Sequence, residues 1–278
     1  MHLTNSTILS KSSDIIQSLF SKEKLFLLAG PCAIENETIT LQTAEFLVKL
    51  TDKLGIPYVF KSSYRKANRT KANSFTGIGD EKALKLLGKL KQEFGVPVVT
   101  DIHESHEAAM AAEYVDVLQI PAFLFRQTEL LQAAAKTGKV VNIKKGQFAA
   151  AEAMSFAAKK VTDEGNNQVL LTERGNMFGY GDMIVDYRNL IWMKQMGFPV
   201  VMDCTHSLQQ PNNGTGITGG LPELIEPMAK AAVAVGVDGL FIETHPNPKE
   251  ALSDGANMLP LKQMEELLTR LLRLRASL

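Results

Sequence analysis

The sequence predicts a (β/α)₈ barrel, the TIM-barrel fold of the α/β class, and two observations carry that prediction. Short apolar runs recur eight times along the 278 residues, separated by segments in which apolar residues have helical spacing. The runs also lack polar alternation, which is typical of parallel strands buried on both faces. A doubly wound sheet usually has fewer strands and a glycine-rich phosphate turn, whereas the first turn here reads Gly30-Pro31-Cys32-Ala33.

Three of the predicted strands begin with the same phrase of glycine, an apolar residue and proline, and end in a polar residue. A helix that ends at glycine and passes directly into a buried strand gives this pattern. The other runs are bounded less sharply by Gly, Pro or charged residues. The eight runs lie within residues 25–29, 55–61, 95–101, 116–120, 139–144, 168–172, 197–203 and 237–243.

No domain boundary is visible, so we expect a single domain over residues 1–278. Residues 1–24 precede the first strand, and we expect this N-terminal extension to plug or cover the bottom of the barrel. Helical spacing is clearest at Leu84, Leu87 and Leu90 and in the terminal segment 261–278. Alternating strands and helices thus account for nearly the whole chain.

Composition excludes several functional classes. The 30 Lys and Arg residues balance 30 Asp and Glu residues, so net charge does not indicate a nucleic-acid-binding surface. No apolar run approaches the ~20 residues of a membrane-spanning helix, and the first 24 residues lack the features of a signal peptide. Two cysteines cannot form a disulfide framework. We therefore expect a cytoplasmic protein that binds neither nucleic acid nor membrane.

Polar side chains stand at the carboxyl ends of nearly all predicted strands. A barrel collects its reactive groups on that face, although strand ends are often polar without any function. Two lysines, an arginine and several possible metal ligands together indicate a functional site rather than strand ends that are polar only because they face solvent. These residues are Cys32, Lys61, Asp101, Gln119, Lys144, Arg174, His206 and Glu243.

The side chains fall into two chemical groups. Lys61, Lys144 and Arg174 concentrate positive charge, as an anionic substrate with phosphate and carboxylate groups requires. The second group has the thiol, imidazole and carboxylates that suit Zn²⁺, Fe²⁺ or Mn²⁺. Its members are Cys32, His206, Glu243 and Asp254. No CxxC or HExxH motif is present, so the pattern alone leaves the metal open.

Two further residues have a structural interpretation. Cys204 lies two residues from His206, and in a strand both would share a face. We interpret Cys204 as a small buried thiol, although a ligand role is the alternative. His245 is expected to be a loop residue that orients Glu243 rather than a ligand.

Seven segments together resemble one known family. They are 28–35 (LAGPCAIE), 60–63 (FKSS), 66–70 (KANRT), 119–124 (QIPAFL), 142–147 (NIKKGQ), 171–175 (LTERG) and 243–246 (ETHP). In this order they resemble the 3-deoxy-D-manno-octulosonate 8-phosphate (KDO8P) synthases, and the resemblance extends from about residue 25 to about residue 270. It implies a barrel, usually a homotetramer, and a transferase of lipopolysaccharide (KDO) biosynthesis. Such enzymes condense phosphoenolpyruvate with D-arabinose 5-phosphate and water and release inorganic phosphate.

The alternative within this resemblance is a 3-deoxy-D-arabino-heptulosonate 7-phosphate synthase, which uses erythrose 4-phosphate. Those enzymes typically carry a Lys-Pro-Arg-Thr phrase where this chain has KANRT at residues 66–70. The loop therefore favours arabinose 5-phosphate. Arg65 and Lys71 depart from the family pattern, so sugar affinity could differ. An alternative from another class is a non-catalytic sensor of sugar phosphate or phosphoenolpyruvate on the same barrel.

The resemblance also implies a role for each matched residue. Cys32 implies the metal-dependent branch, because metal-independent members have Asn there, and the implied cofactor is a divalent ion such as Zn²⁺, Fe²⁺ or Mn²⁺. Arg126 resembles a residue that reaches the sugar phosphate bound in a neighbouring subunit. Apart from the resemblance, the loop 211–220 is a candidate lid, because its run 212–216 is rich in glycine. The implied ligands are Lys61, Gln119, Ala122 (backbone), Lys144 and Arg174 for phosphoenolpyruvate; Ser63, Lys66, Asn68 and Arg69 for the sugar phosphate; and Cys32, His206, Glu243 and Asp254 for the metal. The implied catalytic residues are Lys61, Lys144, His206, Asp254 and Cys32.

Overall fold

The computed structural model describes residues 5–69, 71, 73–177, 181–210 and 218–278. Eight parallel strands follow one another around a barrel, and the first pairs with the last, so the sheet is closed. The predicted (β/α)₈ fold is confirmed, and each strand overlaps a predicted apolar run, although β1, β6 and β8 extend one or two residues beyond it. The strands are β1 Phe26–Gly30, β2 Tyr58–Lys61, β3 Val98–Asp101, β4 Val117–Ile120, β5 Val140–Lys144, β6 Val169–Glu173, β7 Val200–Asp203 and β8 Gly239–His245.

Within the described ranges, one α-helix lies between each two successive strands, one precedes the first strand and one follows the last. They are α1 Asn5–Ser21, α2 Glu37–Leu54, α3 Asp80–Phe94, α4 Glu107–Ala112, α5 Thr128–Lys136, α6 Ala153–Thr162, α7 Arg188–Gln195, α8 Ile225–Val235 and α9 Met264–Ala276. Within the described part of the chain, no helix is long and apolar enough to cross a bilayer.

Glycine ends the helices where the repeated phrase predicts it. Gly55 and Gly95 follow α2 and α3 in the left-handed conformation, with φ of 68° and 64°. Only glycine adopts this conformation without steric penalty, and it lets the backbone N–H groups bond the last helical carbonyls. The chain can then turn directly into β2 and β3, which is why short phrases mark the strand starts so clearly.

Apolar side chains form two layers. The outer layer packs between strands and helices, and the inner one fills the barrel with residues such as Leu28, Val59 and Phe241. Leu19 of α1 belongs to the inner layer and is fully buried, and Ile16 and Phe20 pack against it. Helix α1 therefore lies against the barrel interior through one apolar face.

Short strand pairs outside the barrel surround its carboxyl end. Residues 176–177 pair with 183–184, and residues 209–210 pair with 219–220, both antiparallel. The first pair lies in the segment after β6 and the second in the segment after β7. They place Met177, Met183 and Gln209 around a cavity.

Candidate active site

A cavity of about 370 Å³ opens at the carboxyl ends of the barrel strands. Most of the predicted site residues line it: Lys61, Lys66, Asn68, Arg69, Gln119, Ala122, Lys144, Arg174, His206 and Asp254. The other three, Cys32, Ser63 and Glu243, are buried and lie outside the lining. The barrel thus brings residues from seven of its strand ends and loops to one place.

Two lysines of the cavity are paired with buried carboxylates. Lys61 Nζ lies 2.5 Å from Glu243 Oε1, and Lys144 Nζ lies 2.6 Å from Asp203 Oδ2. Burial alone would raise the pKa of Glu243, but the charges of His206 and Lys61 outweigh it and hold that pKa well below the usual range. The same balance, with His206 and Lys144, lowers the pKa of Asp203. Both carboxylates are therefore ionised.

Lys66 and Arg174 are the cavity cations without a carboxylate within 4 Å, as far as the described residues extend. Arg174 Nη2 donates instead to the carbonyl of His206 at 3.0 Å and to Gln209 Oε1 at 2.6 Å. Burial alone would lower the pKa of Lys66, but the nearby acidic groups, Cys32 and Glu243 foremost, raise it overall. Two buried positive charges thus remain available to an anionic ligand.

The loop after β2 carries the predicted sugar-phosphate ligands. Arg69 Nη1 lies 3.5 Å from Asp254 Oδ1, and its Nη2 donates to Ser253 Oγ. Arg65, one of the two departures from the family pattern, bonds Asp80 at 3.3 Å and also Glu107. Thr70 lies outside the described residues.

Three of the four predicted metal ligands form a compact cluster. Ligand atoms of Cys32, Glu243 and Asp254 all lie within 4.8 Å of one another. His206 Nε2, the fourth predicted ligand atom, lies 3.5 Å from Glu243 Oε2. That carboxylate oxygen is buried and has no hydrogen-bond partner among the described residues. Since such an oxygen is unfavourable without a partner, the donor set fits a cation of the Zn²⁺, Fe²⁺ or Mn²⁺ type.

Local backbone and burial set the state of two of these ligands. Asp254 adopts a left-handed conformation with φ of 47°, which is uncommon for a residue other than glycine and aims its side chain at Cys32 Sγ, 3.5 Å away. Burial raises the pKa of the Cys32 thiol to about 12, and the charge of Glu243 contributes. Burial therefore favours the neutral thiol, and a bound cation would favour the thiolate.

Asp203 and Asp101 are site residues for which the sequence analysis assigned no role. Asp203 accepts a hydrogen bond from His206 Nδ1 at 2.8 Å, which turns Nε2 towards Glu243. Asp101 accepts from Ser63 Oγ at 2.7 Å and from Gln119 Nε2 at 2.5 Å. Each is the last residue of its strand, like Lys61, and that position was the available signal.

The two residues given a structural interpretation have different outcomes. Cys204 is buried in the outer apolar layer, in agreement with that interpretation. The expectation that His245 orients Glu243 is wrong. His245 belongs to β8, its Nδ1 accepts the N–H of Asn247 at 3.0 Å, and its Nε2 lies 3.7 Å from Glu35. A strand residue two positions from Glu243 has its own neighbours, which sequence proximity does not reveal.

The two remaining predictions concern the candidate lid and Arg126. Residues 211–217 of the candidate lid 211–220 lie outside the described residues, and Thr218 of the same loop lines the cavity. Arg126 is exposed, and its carbonyl accepts a hydrogen bond from Lys160 at 2.7 Å. Its role towards a neighbouring subunit stays a prediction.

Comparison with known proteins decides the family. The model of the DAHP synthetase I family matches residues 7–277. The chain belongs to the DAHP synthetase I family. Proteins named 2-dehydro-3-deoxyphosphooctonate aldolase, a synonym of KDO8P synthase, are similar to it over most of their length. Examples come from Cyanothece sp. (52% identical over 252 residues, 91% of this chain and 92% of the relative), Acidithiobacillus ferrooxidans (54% over 243 residues, 87% and 86%) and Rhizobium meliloti (53% over 257 residues, 92% and 92%).

Within the DAHP synthetase I family, these relatives separate the two readings of the sequence. The resemblance to the octulosonate synthases is confirmed, because the relatives at about half identity carry that name. The heptulosonate alternative is not favoured. The family also agrees with a divalent metal at the Cys32 cluster, while the identity of that ion stays a prediction.

Proposed function

We propose that this protein condenses phosphoenolpyruvate with D-arabinose 5-phosphate and water to give 3-deoxy-D-manno-octulosonate 8-phosphate and inorganic phosphate. The name of the relatives supports this activity. One structural observation carries the proposal: Lys66 and Arg174, which have no carboxylate within 4 Å among the described residues, share a cavity with the predicted metal ligands His206 and Asp254. Anion binding and the reacting carbonyl chemistry therefore meet in one small volume.

Phosphoenolpyruvate would bind where Lys144 and Arg174 line the cavity. A guanidinium fork matches a phosphate or carboxylate in two contacts, and a buried ammonium strengthens the attraction at low dielectric. Lys61, Gln119 and the backbone of Ala122 complete the proposed set. Gln119 is held in place by its bonds to Asp101 and to Asn142 at 3.0 Å, so its orientation is fixed before substrate arrives.

The sugar phosphate would bind along the loop after β2. Lys66, Asn68 and Arg69 line the cavity on that side. Ser63 is buried and donates to Asp101, so its proposed contribution is through that hydrogen bond. Phosphate at Arg69 would point the aldehyde end of the sugar towards the interior, where Lys61 and His206 lie.

The bond changes then follow from the positions of the two reactants. Carbon 3 of the enol bonds to the aldehyde carbon, the aldehyde oxygen takes a proton, and water oxygen adds at carbon 2. The resulting hemiketal phosphate loses inorganic phosphate by cleavage of its C–O bond. His206 and Asp254 are the groups proposed to move protons, and Lys144 and Arg174 neutralise the charge on the departing phosphate.

A divalent ion would be held by Cys32, His206, Glu243 and Asp254. When bound, it would polarise the sugar aldehyde or position the attacking water. Asp203 keeps the imidazole of His206 in orientation for this set through the 2.8 Å bond to Nδ1. The homotetramer stays a prediction of the resemblance, and the cytoplasmic location stays a prediction of the composition.

The test measures phosphate release from phosphoenolpyruvate with arabinose 5-phosphate or erythrose 4-phosphate, each with and without EDTA. We expect release with the five-carbon sugar, loss on chelation, and recovery with Mn²⁺ or Zn²⁺. Arg174→Met should raise the KM for phosphoenolpyruvate, whereas Arg188→Met, a control at an exposed ion pair with Asp186, should not. Preference for erythrose 4-phosphate would overturn the substrate assignment. Binding of phosphoenolpyruvate without release would favour the sensor.

A further inference from the structure

A buried ion pair lies behind the proposed anion site and takes no part in the chemistry described above. Lys145 Nζ is 3.5 Å from Glu173 Oε1, and both side chains are 0% exposed. Their sequence neighbours Lys144 and Arg174 line the cavity, while Lys145 and Glu173 lie outside the lining. Adjacent residues of a strand point to opposite sides, so the pair sits on the far side of the same two strand ends.

Glu173 fixes the turn at which Arg174 stands. Its Oε1 accepts the backbone N–H of Arg174 at 3.1 Å and that of Gly175 at 2.6 Å. The chain reverses at Gly175, whose φ of 84° belongs to the left-handed region. The other carboxylate oxygen, Oε2, is buried and has no hydrogen-bond partner among the described residues. Lys145 supplies the positive charge that faces this carboxylate.

Lys145 joins the two loops that border the cavity beside Arg174. Its Nζ donates to the carbonyl of Ala149 and to Asn176 Oδ1, both at 3.0 Å. Its backbone N–H donates to Thr172 of β6 at 2.8 Å. One ammonium thus connects the loop after β5, the strand end of β6 and the short strand 176–177.

We propose that the Lys145–Glu173 pair is a positioning element that holds Lys144 and Arg174 at the separation phosphoenolpyruvate requires. The proposal rests on the function proposed above. Among the described residues, the pair has no hydrogen bond or ion pair to the sugar-binding loop or the metal-ligand cluster, so its loss should affect one substrate selectively. Burial raises the pKa of Glu173 and lowers that of Lys145, and the charge of each partner opposes the shift of the other.

The test compares Lys145→Met, Glu173→Gln and the double variant in steady-state phosphate release. We expect the KM for phosphoenolpyruvate to rise about tenfold in each single variant, the size of one lost coupling between contacting groups. The KM for arabinose 5-phosphate should change much less. The absorbance band of Co²⁺ bound to the Cys32 thiolate, which reports on the metal-ligand cluster, should also stay nearly the same. The KM for phosphoenolpyruvate of the double variant should not exceed that of the poorer single variant, because each single substitution already removes the same interaction.

Lys194→Met is the matched control. Lys194 also pairs with a buried carboxylate, Asp238 at 3.0 Å, but this pair lies at the opposite end of the barrel strands. We expect an unchanged KM for phosphoenolpyruvate in this variant. Equal changes in both substrate KM values, or a change as large in Lys194→Met, would overturn the positioning role.

Binding measurements separate this proposal from the proposed function. Calorimetric titration with inorganic phosphate needs no turnover, and the increase in melting temperature with phosphate serves for a variant that is only partly folded. If the wild-type protein binds phosphate but releases none from phosphoenolpyruvate, the proposed function fails. Weaker phosphate binding by the variants would still support the positioning role of the Lys145–Glu173 pair. If the wild-type protein is active and the variants keep their affinity for phosphate and phosphoenolpyruvate, only the positioning role is overturned. A wild-type protein that binds neither phosphate nor phosphoenolpyruvate would overturn both the proposed function and the positioning role.

Discussion

Replacement of Asp203 by Asn should separate catalysis from stability. The Asp203 carboxylate accepts four hydrogen bonds: from Lys144 Nζ at 2.6 Å, from His206 Nδ1 at 2.8 Å, and from the backbone N–H groups of Thr205 and His206 at 3.1 and 2.8 Å. Asparagine keeps the shape and one acceptor oxygen but presents an NH₂ group to two donors. At least one charge-assisted bond is then lost.

The magnitude follows from that lost bond. A hydrogen bond to a charged group contributes about 1.5–3 kcal/mol, and release of His206 and Lys144 affects both proposed functions of the site. We expect kcat/KM to fall on the order of 10²-fold, since 1.4 kcal/mol corresponds to about a factor of ten. Initial rates of phosphate release over a range of phosphoenolpyruvate concentrations measure it.

Asp238→Asn provides the matched control for this prediction. Asp238 is equally buried and caps a strand start, accepting the N–H of Val200 at 2.8 Å, but it lies just before β8 at the opposite end of the barrel. It should lower the melting temperature without a comparable fall in kcat/KM. If Asp203→Asn keeps kcat/KM within about threefold of Asp238→Asn, Asp203 does not orient the site.

Three further predictions test the ligand set, the N-terminal helix and the barrel packing. Cys32→Asn should reduce the bound metal per chain, measured by elemental analysis, and the sensitivity of phosphate release to EDTA. Unchanged metal content would contradict the ligand role of Cys32. Leu19→Ala should lower the free energy of unfolding by about 2–5 kcal/mol in denaturant titration, because it leaves a cavity under α1, and a cost below about 1 kcal/mol would mean that α1 is not packed into the barrel. Gly239→Ala should destabilise by about 1–3 kcal/mol, since its Cβ would lie 2.2 Å from the ring of Phe26; unchanged stability in the same titration would refute that packing.

The strands could be predicted because their signals are local. Gly55 and Gly95 end their helices by a conformation that only the adjacent residues determine, and proline fixes the start of the next strand. The location of Lys61 and Lys144 on one face then follows from the barrel itself. No long-range information was needed for either inference.

The pairing of charges could not be predicted in the same way. Lys61 and Glu243 are 182 positions apart and meet because β1 closes the sheet against β8 in one register, with Gly30 opposite Glu243. Which carboxylate neutralises which lysine depends on contacts between residues far apart in the sequence, and composition does not predict such contacts. Arg65 is similar: its departure from the family pattern was visible, but its bonds to Asp80 and Glu107 were not.

The register at the barrel closure has a consequence for folding. Cys32 follows the first strand, whereas Glu243 and Asp254 belong to the last strand and the loop after it, so the ligand cluster spans the junction where the sheet closes. Such a cluster cannot assemble until nearly the whole chain has been synthesised and has joined its two ends, a contact of high sequence separation. An ion held there would bind the closed barrel and not an opened one. Its occupancy would therefore resist separation of β1 from β8, and the resistance would grow with the ion concentration.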